Sequence, residues 1–194
     1  MAALAGAKTA ALENTKTAAQ TAAQTGTKAA THLDAKRARN TGTMCAADVH
    51  TVVYVDGVFD LFHYGHVAFL KRARAVGGPG ARLLVGVMTD DDARWKRQPV
   101  MAHAERLAVV RHCTEVGAVV EHPPLVISSE FLDAYGIDLV VHGDDSKQED
   151  FFRAPIERGI MRYVPYEEGI STSAIIARVQ ARDEQGQPHG ARAT

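Results

Sequence analysis

Hydrophobic and polar positions between residues 51 and 181 follow one another in a repeating order of strand and helix. Residues 51–55 form a β-branched run that ends at Asp56-Gly57, and residues 67–76 then show helical spacing. Strands of this continuously apolar kind, separated by helices, predict an α/β fold: a parallel sheet with helices on both faces. Further strands are predicted at residues 83–87, 116–120, 138–141 and 161–164, and further helices at residues 103–115, at 129–135 and from about Ser171.

Parallel sheets of this type bind ligands at the carboxyl ends of their strands. The loops that matter for function are therefore predicted to follow Val55, Val87, Val141 and Val164.

Composition excludes several classes of partner. The 194 residues carry 22 basic and 23 acidic side chains, a net charge of −1. This charge gives no electrostatic reason to expect binding to nucleic acid or to an anionic membrane. No apolar run approaches the roughly 18 residues of a membrane-spanning helix, so we expect a soluble protein without a stable membrane anchor. Cys45 and Cys113 form neither a disulfide framework nor a metal-binding pair, which fits thiols in the cytoplasm.

The chain divides into three predicted parts. Residues 1–47 include 16 Ala and 9 Thr, so residues 1–49 are a low-complexity tail: an organelle transit peptide, a disordered tail, or sequence upstream of a start at Met44. Residues 50–181 are predicted to form one domain, long enough to be a catalytic domain, and residues 182–194 are a polar, disordered tail.

The loop after the first strand carries two histidines three positions apart, in His63-Tyr64-Gly65-His66. At a helix start both imidazoles project from the first turn, beside unpaired backbone N–H groups and the positive end of the helix dipole. This pattern predicts an anion site. Two alternatives are a zinc pair that lacks its other ligands and histidines that cap the helix.

Three segments resemble the cytidylyltransferase family that makes CDP-ethanolamine, CDP-choline and CDP-glycerol. They are residues 57–60 (Gly-Val-Phe-Asp), residues 63–66 and residues 169–176 (Gly-Ile-Ser-Thr-Ser-Ala-Ile-Ile), and the likeness extends over residues 51–179. It implies a Rossmann-like nucleotidyltransferase fold, usually homodimeric, and transfer of CMP from CTP to a small phosphomonoester, with Mg²⁺ accompanying the triphosphate. Such a reaction joins two polyanions and needs cations and N–H donors rather than a protein nucleophile.

The resemblance also implies roles for individual residues. His63, His66 and Lys96 would be catalytic, with Lys96 bridging phosphates of nucleotide and acceptor, and the N-terminus of the last helix would hold phosphate oxygens. Lys96 has the alternative of a solvated loop charge, and Ser171 and Thr172 that of a helix cap. The residues expected to bind the nucleotide are Gly57, Val58, Phe59, His63, His66, Arg106, His142, Gly143, Asp144, Asp145, Gly169, Ile170, Ser171 and Thr172. Asp144 and Asp145 have the alternative of a turn, and Arg106 that of a surface helix charge.

The acceptor is predicted from Asp56 and Lys96. The amino-alcohol branches resemble this chain in having Asp at position 56, and a carboxylate beside a phosphate pocket suits an ammonium group. Choline also calls for an aromatic cage, yet Leu125 stands where the choline enzymes have tryptophan. Phosphoethanolamine is therefore the first expectation, with phosphocholine and other phosphomonoesters or phosphonates as alternatives.

One position departs from the family pattern. The family usually has an arginine that binds the CTP phosphates at the position of Tyr166, in Tyr166-Glu167-Glu168-Gly169 of this chain. Arg162, four residues upstream, is a candidate replacement. The departure keeps two other hypotheses open: an adenylyltransferase of the same superfamily, and a nucleotide-binding module without catalysis.

Overall fold

The computed structural model describes residues 50–94, 97–144 and 149–184. Its strands are β1 Val52–Gly57, β2 Arg82–Val87, β3 Ala118–Val120, β4 Leu139–Gly143 and β5 Met161–Val164. Its helices are α1 Tyr64–Val76, α2 Asp90–Ala93, α3 His103–Arg111, α4 Ser129–Tyr135, α5 Arg153–Glu157 and α6 Thr172–Glu184.

The five strands form one parallel sheet in the order β3-β2-β1-β4-β5. The central strand β1 pairs with β2 on one side, where Val55 lies opposite Val85, and with β4 on the other, where Tyr54 lies opposite Val140. The chain therefore reverses its direction of travel across the sheet at β1, and ligands of such sheets bind at that reversal. The predicted α/β fold is confirmed.

Alternate residues of the strands pack into two separate cores. Val53, Val55 and their neighbours on one face contact α1 and α3 through Leu70 and Leu107. On the other face Tyr54 packs with residues around α4 and α5. Both faces are buried, so the strands are apolar throughout rather than alternating with polar positions.

Several element bounds differ from the predicted ones. α1 begins at Tyr64 rather than at residue 67, and α3 ends at Arg111 rather than at residue 115. The sequence does not predict the short helices α2 and α5, because four or five residues are too few to show a hydrophobic periodicity.

At the other end of the domain, α6 extends to Glu184, past the predicted boundary at residue 181. The predicted tails over residues 1–49 and 185–194 lie outside the described residues. Within the described ranges no helix is both long and apolar enough to cross a bilayer.

Candidate active site

The loop from β1 to α1 has an unusual backbone. Phe59 and Leu61 have φ angles of 54° and 45°, in the left-handed region that side chains other than glycine rarely occupy. The buried ring of Phe59 packs edge-to-face on His66, with centroids 5.5 Å apart. Strain of this kind is commonly found at functional sites, where the surrounding packing holds it in place.

His63 and His66 bind each other's backbone at the start of α1. The His63 Nδ1 accepts the Gly65 N–H at 3.1 Å, and the His66 Nδ1 accepts the His63 N–H at 3.3 Å. Each ring uses Nδ1 as an acceptor, so the proton of each neutral ring lies on Nε2. His63 thus caps α1, as one alternative proposed, but its Nε2 is buried without a hydrogen-bond partner among the described residues.

Burial keeps both imidazoles neutral. Desolvation lowers the pKa of His63, and it lowers that of His66 to about 3, helped by the adjacent His63 and opposed by Asp60. Near pH 7 the pair therefore offers two neutral N–H donors rather than positive charges. A neutral donor can still stabilise negative charge that builds up on a phosphoryl oxygen.

Gly65 allows the chain to close tightly over this pair. A Cβ at position 65 would lie 3.0 Å from the His63 ring and 3.1 Å from the Ile170 Cγ2 atom. A larger residue between the two histidines would therefore need the His63 ring and the Ile170 side chain to shift by a few tenths of an ångström. The first and last motifs of the sequence meet at this point.

The N-terminus of α6 is tied to the same loop. The Thr172 hydroxyl donates to the carbonyl oxygen of Asp60 at 3.0 Å, and the Ser171 hydroxyl accepts the Ala174 N–H at 3.1 Å. The cap alternative therefore holds for the Ser171 side chain. The first-turn N–H groups of a helix have no acceptor within the helix, so this end can also bind an anion.

Asp60 and Arg97 are two site residues to which the sequence analysis assigned no role. The buried carboxylate of Asp60 accepts the N–H groups of Val100 and Met101 at 3.1 and 2.9 Å, and the Arg97 Nη2 at 3.1 Å. The Arg97 Nη1 lies 3.4 Å from the Ser173 Oγ. Asp60 thus fixes the loop after α2 against the β1–α1 loop and the start of α6.

Arg106 has no exposed surface, which corrects its predicted contact with the nucleotide. Its guanidinium donates to the carbonyl oxygens of Val58 and Met88 at 2.6 and 2.8 Å and to the Asp90 carboxylate at 2.7 Å. That pairing holds the pKa of Asp90 below its usual value. Arg106 therefore positions the loops after β1 and β2, and the surface-charge alternative is wrong as well.

Asp56 ends the buried part of β1 beside a histidine and an aromatic hydroxyl. Tyr54 donates to its carboxylate over a long 3.5 Å, and His142 lies near enough to oppose the effect of burial on its pKa. Desolvation is the larger effect and raises the pKa of Asp56 to about 6. The His142 ring in turn packs against Phe152 at 5.1 Å. A half-buried carboxylate whose pKa is raised in this way is suited to a cationic ligand group.

The loop after β4 joins the segment that precedes α6. The Asp144 carboxylate accepts the Tyr166 N–H at 3.1 Å, and the Asp144 N–H donates to the Val164 carbonyl. Asp144 thus holds the end of β4 against the segment that precedes α6, and its side chain remains exposed. Asp145 and Lys96 lie outside the described residues.

Arg162 does not approach the site. Its Nη1 donates to the carbonyl oxygens of Gly159 and Met161 at 2.9 and 2.8 Å, at the amino end of β5. Arg72 of α1 is also engaged, with the Glu167 carboxylate and the Pro165 carbonyl oxygen. The suggested replacement of the family's arginine by Arg162 is therefore wrong.

Comparison with known proteins places this geometry in context. Residues 54–178 match the family model described as cytidylyltransferase-like. The ethanolamine-phosphate cytidylyltransferase of Arabidopsis thaliana is 36% identical over 151 residues, which cover 73% of this chain and 35% of that protein. The probable choline-phosphate cytidylyltransferase of Schizosaccharomyces pombe is 40% identical over 133 residues, or 66% of this chain and 36% of that protein.

A solved structure shares the fold. The lipopolysaccharide core biosynthesis protein from Thermoplasma volcanium superposes with a TM-score of 0.52 at 21% identity, covering 62% of this chain and all of that one. The curated relatives are longer: the match spans little more than a third of each of the two named above.

Proposed function

The chain belongs to the cytidylyltransferase-like family, and from that premise we propose that it transfers CMP from CTP to phosphoethanolamine, releasing pyrophosphate. The product is CDP-ethanolamine, a phospholipid precursor. The observation that carries the proposal is the buried, unpartnered Nε2 of His63, at a point where the starts of α1 and α6 converge. A buried donor without a partner is costly, and a phosphate oxygen would satisfy it.

The chemistry needs positioning and charge stabilisation. A phosphate oxygen of the acceptor attacks the α-phosphorus of CTP, a new P–O bond forms, and the bond to pyrophosphate breaks in line with it. The Nε2–H groups of His63 and His66 donate to oxygens on which negative charge increases. The acceptor phosphate is already largely ionised near pH 7, so no general base is required.

Asp56 supports an acceptor that carries an ammonium group. Burial desolvates its carboxylate, and no Lys or Arg side chain among the described residues forms an ion pair with it. A primary ammonium group would pair with this carboxylate and also donate hydrogen bonds to it. Phosphocholine is the second candidate, favoured by the likeness to choline-phosphate enzymes. Leu125 argues against it, because it supplies no aromatic face for a quaternary ammonium.

Magnesium enters this proposal as the complex of Mg²⁺ with CTP. The described residues contain no group of three His, Cys, Asp or Glu side chains placed to hold a metal. Mg²⁺ commonly binds through substrate phosphates and water rather than through an all-protein cage. Bound there, Mg²⁺ would neutralise part of the negative charge of the triphosphate.

The family resemblance also carries two coarser expectations, which remain proposals. We propose that the protein is a homodimer, to be tested by light scattering on the full chain. We further propose a cytoplasmic location, with delivery to an organelle through residues 1–47 as the alternative. Fractionation of cells that express the full chain with a carboxyl-terminal tag separates the two.

The decisive assay follows pyrophosphate release by the full chain with CTP and Mg²⁺. Phosphoethanolamine, phosphocholine, glycerol 3-phosphate and 2-aminoethylphosphonate are offered separately, and ATP replaces CTP in a parallel series. We expect release with CTP and phosphoethanolamine, and its loss in the His66→Ala variant. Release only with ATP would make the chain an adenylyltransferase, whereas CTP binding without release for all four acceptors would favour a non-catalytic module.

A further inference from the structure

We propose that Arg97 binds the β- and γ-phosphates of the nucleotide, exchanging part of its contact with Asp60 for the triphosphate. This inference rests on the proposed function and deepens it by naming a cation of the phosphate site. Arg97 reaches the start of α6 from the loop after α2, with its guanidinium between the Asp60 carboxylate and the Ser173 hydroxyl. That position is next to the converging starts of α1 and α6.

The site needs a positive charge that its histidines do not provide. His63 and His66 are neutral donors, while a triphosphate carries several negative charges. Arginine is the side chain best suited to this task, because its planar fork can donate two parallel hydrogen bonds to one phosphate.

Three other arginines of the described residues are already engaged in contacts. Arg106 is fully buried in its loop contacts, Arg72 pairs with Glu167, and Arg162 bonds to carbonyl oxygens at the far end of β5. Arg97 is 36% exposed where Arg106 is fully buried, and unlike Arg72 and Arg162 it contacts the Ser173 side chain at the start of α6, over a long 3.4 Å. It can therefore turn toward a ligand at small cost.

Asp60 can release Arg97 without being left unpartnered. Its two carboxylate oxygens also accept the backbone N–H groups of Val100 and Met101. A buried carboxylate that keeps two such donors avoids most of the penalty of an unpaired charge. The Asp60–Arg97 pair thus holds the guanidinium near the phosphate site before the nucleotide arrives.

The test compares CTP with CMP, which lacks the β- and γ-phosphates, by calorimetric titration of the full chain in the presence of Mg²⁺. We expect Arg97→Gln to weaken CTP binding at least tenfold and CMP binding less than twofold. Arg97→Lys should recover part of the loss, because it restores charge but not the fork. Arg162→Gln is the matched control, an exposed arginine directed away from the site, and should change neither affinity more than twofold.

Three results would overturn the inference. These are unchanged CTP binding in Arg97→Gln, equal weakening of CTP and CMP, which would indicate a structural latch only, or equal weakening by Arg162→Gln. If Arg97→Gln does not fold, the same comparison is made with Arg97→Lys, whose CTP affinity should fall while its CMP affinity does not. If the unaltered chain does not bind CTP, the proposed function itself is wrong. The titration is then repeated with inorganic pyrophosphate in place of CTP. Equal pyrophosphate affinities of the unaltered chain and Arg97→Gln would overturn the inference.

Discussion

The imidazole rings of His63 and His66 stack with their centroids 3.9 Å apart and their planes 22° from parallel. Each Nδ1 accepts a backbone N–H at the start of α1, and these hydrogen bonds fix both rings in the same tautomer. The helix start thereby sets the direction of two neutral donors. One side chain, His63, caps the helix with one nitrogen and leaves the other for a ligand.

The two roles of His63 can be separated by His63→Asn. Asparagine is among the best N-cap residues, so it should keep the cap, and we expect the melting temperature to change by less than about 3 °C. It has no group at the position of Nε2, so kcat/KM for CTP should fall by about a hundredfold or more. His112→Asn, at the exposed end of α3, is the matched control and should retain activity. Retained activity in His63→Asn would show that the cap is the residue's whole contribution.

Asp56 should add a second ionisation to the pH profile of an ammonium-bearing acceptor. As pH falls through about 6 its carboxylate takes up a proton and loses its attraction for the ammonium group. The acceptor phosphate protonates in the same range, so log kcat/KM for phosphoethanolamine should fall with a slope of about two below pH 6. Asp56→Asn should lower kcat/KM and reduce that slope to about one. Equal slopes in the two proteins would remove Asp56 from acceptor recognition.

The ionised carboxylate of Asp56 should lower the free energy of unfolding at neutral pH. The folded-state pKa of Asp56, about 6, lies above the ordinary value of 3.8 that the residue has in the unfolded chain, so its effect on stability is most favourable below pH 3.8 and is lost as pH rises through 6. Partial exposure to water reduces the effect, which we set at about 1 kcal/mol. Asp56→Asn should therefore melt about 3 °C higher than the unaltered chain at pH 8, with the gap closing toward pH 4. A lower melting temperature at pH 8 would contradict this account.

Patterns that are local in sequence predict the fold and part of the site. The strands could be predicted because both faces of the sheet are buried, which makes every residue from Val52 to Val55 apolar. His63 and His66 could be found because their spacing alone places them on one turn of α1. In both cases the signal lies within a few residues of chain.

The remaining site residues depend on contacts between distant segments. Arg97 and Asp60 are 37 positions apart and Thr172 and Asp60 112 apart, so no local pattern links them. Neither the predicted nucleotide contact of Arg106 nor its alternative as a helix surface charge anticipates its burial, because that burial depends on three loops meeting around it. Arg162 was misjudged because the direction of a long side chain at a strand is set by the backbone oxygens it meets, here at the amino end of β5.

Arg106 and Arg111 of helix α3 provide a test of how burial changes the contribution of an ion pair to the free energy of unfolding. Arg106 is fully buried and donates to three carbonyl oxygens besides the Asp90 carboxylate, whereas Arg111 pairs with Glu121 in solvent. Arg106→Met should reduce the free energy of unfolding by about 3–5 kcal/mol, because it leaves buried acceptors and a carboxylate without their donor. Arg111→Met should cost about 0–1 kcal/mol. Urea unfolding of both variants measures the difference, and costs within 1 kcal/mol of each other would show that the loops after β1 and β2 do not depend on Arg106.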